Sequence, residues 1–348
     1  MAEFDLRPME PADGPAMDVL MRNEALTTAI SFSTHYRFDL YEALKAQYPT
    51  LFGVVATVPG EDRLAGMATV YTDEVAVNGR LRPSAYLANL KVRQDVRRRG
   101  LGSLLAEWRI REARRQIGDE GIIATSVEAS NAASLATARR WATQVLGPVR
   151  VVIARSVRSR PRGHGLEVRP MADDDVDAVV AGINTFLGDY QLVPRQTAST
   201  LRTYLDPTPI GVIRQYRVVV DDQAGIVGGA AVTERFKIME DHIERVPKPL
   251  ELLSRILPII PPDRVLRTLE LSLVWHAPGR LDAGRFLWDS IRYEWRDRAT
   301  HFGGEADPRG TLKDVLRVGP TFVPRVTLMV PVQSQERLDE DRPVYTWR

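Results

Sequence analysis

Cysteine is absent from the 348 residues, and its absence removes whole classes of chemistry. Without a thiol there is no disulfide framework, no thiolate nucleophile, no cysteine-containing zinc site and no cysteine-ligated iron–sulfur cluster. Lysine is scarce: Lys45, Lys91, Lys237, Lys248 and Lys313 are the five, so 42 of the 47 basic residues are arginine. Forty-five acids bring the net charge to +2, so no global surplus argues for nucleic acid. The five histidines are scattered and offer no metal-ligand constellation. No run approaches the ~18 apolar residues of a membrane-spanning helix, and the first nine residues lack the basic and apolar regions of a secretory leader. These readings predict a cytoplasmic protein that binds no metal, membrane or nucleic acid.

What is present is an ordinary globular composition, 44% hydrophobic and 26% charged, on a chain longer than one core usually holds. The length is explained by a diverged repeat. Arg7-Pro8-Met9 recurs as Arg169-Pro170-Met171, and Leu64-Ala65-Gly66 through Val70 recurs as Ile226-Val227-Gly228 through Val232, both at an offset of 162. A weaker echo pairs Gly147-Pro148 with Gly319-Pro320. Val92 through Gly102 aligns best with Val274 through Gly284, a shift of 182, so about 20 extra residues enter the second copy. Part of that excursion, 246–262, is rich in proline and breaks any long regular element. A Gly- and Pro-containing linker at 159–165 separates a first domain, 1–158, from a second, 166–333. Residues 334–348 form a C-terminal tail, acidic and then aromatic.

Local patterning gives the coarse elements. In the first half, helical spacing covers 11–27, with Asp13 near its start where a carboxylate suits the helix dipole, and a second short helix covers 41–47. Strands are predicted at 51–58, 64–71, 82–92, 121–127 and 149–157, the first two joined as a hairpin and the third introduced by an Asn78-Gly79 turn. Helices at 101–116 and 131–143 fall between the later strands. The order implies an α/β (α+β) fold, two domains that are each a mixed twisted sheet flanked by helices.

The most informative segment runs from Leu90 to Leu105, where a strand delivers the chain through a basic turn to a helix start. Gly100 and Gly102 remove side chains that would block an anion, leaving backbone amides and the helix dipole to meet phosphate oxygens. Arg97, Arg98 and Arg99 add forked donors. Lys91 through Arg115 holds nine basic residues against three acids. The segment lacks the Gly-Lys-Ser/Thr of a Walker loop and the three-glycine dinucleotide spacing, and it has no interleaved aromatics for stacking bases.

Arg97-x-x-Gly100-x-Gly102 after a strand ending in Val92 resembles motif A of the GNAT acetyltransferase superfamily, and the likeness spans the first half. The resemblance implies acetyl-CoA as co-substrate and a primary amine of a small molecule or peptide as acceptor. It places the pyrophosphate on the amides of Arg98, Arg99, Gly100, Leu101, Gly102 and Ser103 beside Arg97, and the pantetheine along the strand near Leu90 and Val92. Asn131 matches a position that often contacts the cofactor. In the second copy Asp282 stands where Gly100 stands in the first, and a carboxylate there would repel a pyrophosphate. Only the first copy is therefore expected to bind coenzyme A, and the second is read as degenerate.

Amine transfer needs a proton acceptor, a polarised thioester carbonyl and an acid for the leaving thiolate. In relatives a strand amide, here Val92, meets the oxyanion, and the acid is commonly a Tyr seven residues after Asn131. That position is Ala138 here. Tyr86, on the same strand face as Val92, and Glu128, at the end of the next strand, are the catalytic candidates, each with a structural reading as a packed aromatic or a turn partner. His35, between the two early helices, is weighed as a structural or solvated histidine. The missing Tyr motivates an alternative, a CoA-binding regulatory or scaffold protein without turnover. A homodimer is left open.

Overall fold

The structure is a computed structural model that describes residues 3–23, 26–27, 31–246, 251, 260–317 and 326–346. In the first half the chain runs β1 (Asp5–Pro8), α1 (Gly14–Asn23), β2 (Leu26–Thr27), β3 (Ser31–Tyr36), α2 (Leu40–Gln47), β4 (Phe52–Thr57), β5 (Leu64–Val77) and β6 (Arg80–Val92). It continues through α3 (Leu101–Ile117), β7 (Ile122–Ala124), β8 (Val127–Glu128), α4 (Ala132–Ala138) and β9 (Gln144–Ala154). The second half follows with β10 (Leu166–Pro170), α5 (Val176–Phe186), β11 (Val193–Pro194), α6 (Ala198–Leu205), β12 (Arg214–Asp221), β13 (Gly225–Glu234), β14 (Met239–Arg245) and β15 (Val265–Leu266). Last come β16 (Thr268–His276), α7 (Leu281–Glu294), β17 (His301–Ala306), α8 (Leu312–Val315) and β18 (Thr327–Gln333).

The turn chemistry works as the sequence suggests. Asn78 and Gly79 both take positive φ, +48° and +80°, and close the β5–β6 hairpin with Val77 opposite Arg80. Gly66 has a packing reason: a Cβ there would lie 2.9 Å from the Leu105 side chain and 2.9 Å from the Lys91 carbonyl, so only glycine lets α3 sit this close to β5 and β6. The helix buries Leu101, Leu105, Ala113 and Ile117 at helical spacing against the sheet.

The main sheet has the order β1-β4-β5-β6-β7-β18-β9-β17-β16-β13-β12-β10. The halves exchange their last strands. β9 pairs with β17 of the second half, and β18 pairs with β7 and β8 of the first, while β9 and β18 pair with each other at the centre. One hydrophobic core cluster runs across the join, from Tyr71 and Tyr86 through Leu146 and Leu328 to Val218 and Trp288. A second sheet, β15-β14-β3-β2, also crosses between halves, with Met239 opposite Tyr36.

The repeat extends to side-chain detail. Arg7 donates to Asp13 at 2.8 Å and the Glu10 amide donates to the same carboxylate at 2.8 Å. At the offset of 162, Arg169 donates to Asp175 at 2.9 Å and the Ala172 amide donates at 2.6 Å. Gly66 lies opposite Val92, and Gly228 lies opposite His276. The structural partner of Val92 is thus His276, a spacing of 184, and the expected shift of 182 is corrected for the strand: the turn that follows is two residues shorter in the second copy.

Other expectations are adjusted. The first helix ends at Asn23 instead of running to 27, because residues 26–27 and 31–36 pair in the cross-half sheet. The helix opened by Asn131 ends at Ala138, and the strand predicted at 149–157 is β9, shifted to Gln144–Ala154. Within the proline-rich excursion, 247–250 and 252–259 lie outside the described residues, as does the Gly319-Pro320 echo. The tail docks: Gln191 and Val344 form a parallel bridge.

Two outcomes follow from this architecture. Fragments 1–165 and 166–348 each lack one strand of their own sheet, so each made alone is expected to be insoluble or unstructured, while co-expression restores a soluble complex; circular dichroism and gel filtration read this out. The second concerns Asp13 and Asp175, whose carboxyls are held below the usual range chiefly by hydrogen bonds from Arg7 and Arg169. A depressed carboxyl stabilises fully above its unfolded pKa of about 3.9, and that contribution is lost as pH falls through the folded value. The double variant D13N/D175N is expected to be destabilised at pH 7 by about 1 kcal/mol per site, allowing for the half-exposed arginines. The gap should narrow as pH falls below the unfolded value of about 3.9. Calorimetry at pH 7 and pH 3 checks this, and an unchanged gap at pH 3 contradicts it.

Candidate functional site

The first-half site is built where β6 and β7 part. Their parallel pairing is confined to Ser84–Ile122, Ala85–Ile123 and Tyr86–Ala124. Three residues on, Asn89 takes φ +47°, the register against β5 shifts, and the strands open into a wedge. Carbonyls near the opening are met from both sides. The Thr125 hydroxyl donates to the Leu87 carbonyl at 2.7 Å, and Arg109 donates to the Ala88 carbonyl at 3.3 Å. Burial lowers the Arg109 guanidinium to about 10, which leaves it charged at neutral pH. Arg109 was not singled out from the sequence, yet it sits in the apolar stripe Leu101, Leu105, Ala113, four residues after Leu105, where an arginine is out of place.

Beyond Val92 the basic turn runs into α3. Arg98 and Gly100 both have positive φ, +65° and +86°, and Gly100 caps the helix. The first helical bonds run from the Ser103 and Leu104 amides to the Gly100 carbonyl, so the amides just before them open the helix. A Cβ at Gly100 would meet nothing within 4 Å, and one at Gly102 would meet only Val92 Cγ2 at 3.8 Å. Nothing in the protein's own packing requires glycine at Gly102; an approaching ligand would. The open cradle and its amides fit a pyrophosphate.

The arginines divide. Arg97 Nε donates to the Val92 carbonyl at 3.1 Å, and Arg99 pairs with Glu3 at 2.6 Å and lies over the Phe4 ring. Arg140, outside the predicted set, reaches across from the end of α4 to Ser103 Oγ at 3.2 Å and adds a cation to the cradle's rim. Asn131 caps α4 by accepting from the Ser134 amide at 3.0 Å.

The second copy keeps the wedge and loses the cradle. β16 and β17 pair at Thr268–His301, Leu269–Phe302 and Glu270–Gly303, and Leu273, three residues on, again has φ +47°. A Cβ at Gly284 would meet His276 and Val315 side chains at 3.1 Å, so α8 fills the space left open at Gly102. Asp282 is in the first turn of α7, where it pairs with Arg280 at 3.2 Å.

Between the halves lies a cavity of about 290 Å³. Its apolar wall includes Met21, Phe32, Val151 and Leu266. Asp241, Glu270 and Glu305 supply acid from the second half, and Lys91 of β6 faces the cavity from the first. Glu270 is paired with Arg235 at 3.4 Å, and Asp241 accepts from the Thr34 hydroxyl at 2.6 Å. Burial lowers Lys91, and burial aided by Arg155 lowers His301 to about 4, so His301 is neutral at pH 7.

The catalytic candidates read from sequence sit elsewhere. Tyr86 is buried in a stack with Tyr71, ring centroids 5.1 Å apart, and Glu128 accepts from the Ser130 hydroxyl at 2.7 Å. Neither is among the residues lining the cavity. His35 lies on β3 with its ring 4.2 Å from that of His242, and burial lowers it. Among the described residues no group of three His, Asp or Glu could hold a metal.

Residues 19–142 match the model of the Acetyltransferase (GNAT) family. That stretch of the first half is similar in sequence to the GNAT family. No curated protein sequence matches the chain. Among solved structures, the Saccharomyces cerevisiae N-myristoyltransferase with bound myristoyl-CoA superposes with a TM-score of 0.64 at 13% identity, covering 100% of this chain and 90% of that one. The GCN5-related N-acetyltransferase from Sphaerobacter thermophilus gives 0.58 at 15% identity, covering 99% and 98%. At such identities the likeness is one of fold: a GNAT-like architecture spanning both halves.

For this chain the expected stoichiometry is one coenzyme A per full-length protein, measured by calorimetric titration with acetyl-CoA. Gly102→Glu, which puts a carboxylate into the cradle, should weaken binding more than ~10-fold. Wild-type affinity in that variant, or two sites per chain, would refute the assignment.

Proposed function

We propose that the chain is an acetyl-CoA-dependent N-acetyltransferase that acylates a primary amine of a small molecule or peptide. One observation carries the reading. The same strand, β6, presents Lys91 to the cavity between the halves and, one residue later, runs through Val92 into the open glycine cradle. A donor held at the turn is thereby next to an acceptor held in the cavity. The GNAT match and the N-acyltransferase neighbours support acyl transfer from coenzyme A.

In the proposed assignment the amides of Arg98 to Gly102 and the rim cations Arg97, Arg98 and Arg140 hold the pyrophosphate; the Ser103 amide, expected from sequence to join them, is taken by the Gly100 carbonyl. Leu90 and Val92 hold the pantetheine, with Asn131 beside it. Bound there, acyl-CoA supplies an activated acyl carbon: the amine N–C bond forms as the C–S bond breaks, and the thiol leaves with one proton. The chain's part is to take a proton from the incoming ammonium and to stabilise the carbonyl oxygen. Asp241, Glu270 and Glu305 are placed to accept that proton in the cavity, and the Val92 amide is the donor to the oxygen. Glu128 and Tyr86 stay as candidates only if substrate reaches them. Among the described residues no helix is long and apolar enough to cross a membrane.

A second reading has one observation behind it: Ala138, buried against Val127 and Leu135, stands where the leaving-group acid of relatives is found. Thiol release separates the two. Full-length protein with acetyl-CoA and phenethylamine, octylamine or glycylglycine is expected to release free thiol in an amine-dependent manner, and Gly102→Glu to release it more slowly at acetyl-CoA below the wild-type Kd. Coenzyme A binding without amine-dependent thiol would favour the scaffold reading.

A further inference from the structure

The wedge between β16 and β17 corresponds residue for residue to the one between β6 and β7, but the chain closes it with its own last described segment. Tyr345 is buried, and its hydroxyl accepts from the Leu273 amide at 2.9 Å, at the positive-φ residue equivalent to Asn89. The segment is anchored as an added strand: the Tyr345 amide donates to the Gln191 carbonyl at 2.9 Å and the Gln191 amide to the Pro343 carbonyl at 2.8 Å. The Val344 amide donates to Asp307 at 2.9 Å, a carboxylate that Arg309 grips from the other side. Only about 30 Å³ of void is left between these residues and the wedge, roughly one water's share.

The segment also reaches the acceptor side. Thr346 donates its hydroxyl to Glu305. Glu305 and Glu270 border both the closed wedge and the large cavity, so they form the partition between the tail and the acceptor space. We infer that Tyr345 and Thr346 are positioning residues for the acceptor: the tail occupies the second copy's wedge as a resident ligand and fixes the Glu305 carboxylate at the wall of the amine-binding cavity. A side chain held by a fixed hydrogen bond loses little further freedom when substrate binds, which favours affinity for the acceptor. The inference rests on the N-acyltransferase reading and names what its degenerate half contributes.

The test uses full-length protein, acetyl-CoA and phenethylamine as the acceptor probe. Thr346→Val removes the hydroxyl at nearly constant volume, and Thr346→Ser keeps it. Thr346→Val is expected to raise the phenethylamine KM about threefold to tenfold, the effect of one lost hydrogen bond. Its acetyl-CoA Kd should stay as in wild type, and Thr346→Ser should restore KM. Tyr345→Phe should shift KM in the same direction. An unchanged KM in Thr346→Val, or parallel losses of coenzyme A affinity and melting temperature in both Thr346 variants, would overturn the inference. If the wild-type chain binds acetyl-CoA but releases no amine-dependent thiol, the functional reading fails and this inference with it.

Discussion

The antiparallel pairing of β9 with β18 is the contact on which the rest of the molecule depends. Each strand comes from one half and completes the sheet of the other, so their pairing fuses two sheets into one and draws the two cores into a single hydrophobic cluster. It also brings β9 beside β17, and Val151 and Val152 of β9 then wall the cavity together with Gly303 and Glu305 of β17. Had each half kept its own last strand, strand β6 and the acids of β16 and β17 would have no fixed relation. The cross-half pairing of β3 with β14 repeats the constraint on the opposite side.

Within that frame the two copies show how little must change to fill an open turn with packing. The wedge is kept in both: three paired residues, then a residue at φ +47° that ends the ladder. At the turn, the first copy leaves glycine facing open space, whereas the second turns the same glycine against His276 and Val315. In the helix's first turn a carboxylate, Asp282, stands where an anionic ligand would meet the dipole, and Arg280 neutralises it. The second copy has filled its own turn from within.

How much of this was legible in the sequence depends on range. The basic turn was legible because its signals are local: positive φ at Gly100, an open Cβ position at Gly102 and a strand before them all lie within a dozen residues. The Arg7 and Arg169 echoes were legible because the same short motif does the same job twice. Strand exchange was not, since β9 and β18 would have the same pattern whichever sheet they joined. Nor was β3, whose partner lies some two hundred residues away in the excursion. Sequence alignment put Val274 against Val92 because it weighs residue likeness, whereas the ladder matches His276 by position. Arg109 could have been found, as a charge in an apolar stripe; the cavity acids could not, because Asp241, Glu270 and Glu305 share no local spacing.

The exchange also sets an order on synthesis. β7 is complete by residue 124, but its outer neighbour is β18, which is not made until Gln333. At about 5–20 residues per second the ribosome needs on the order of ten to forty seconds to cover the chain between β9 and the end of β18. For that interval the nascent first half exposes an unpaired, apolar sheet edge, the kind of surface that recruits other chains. The same feature that makes the finished protein one body makes its half-built form dependent on protection, and ties the survival of the first half to the completion of the second.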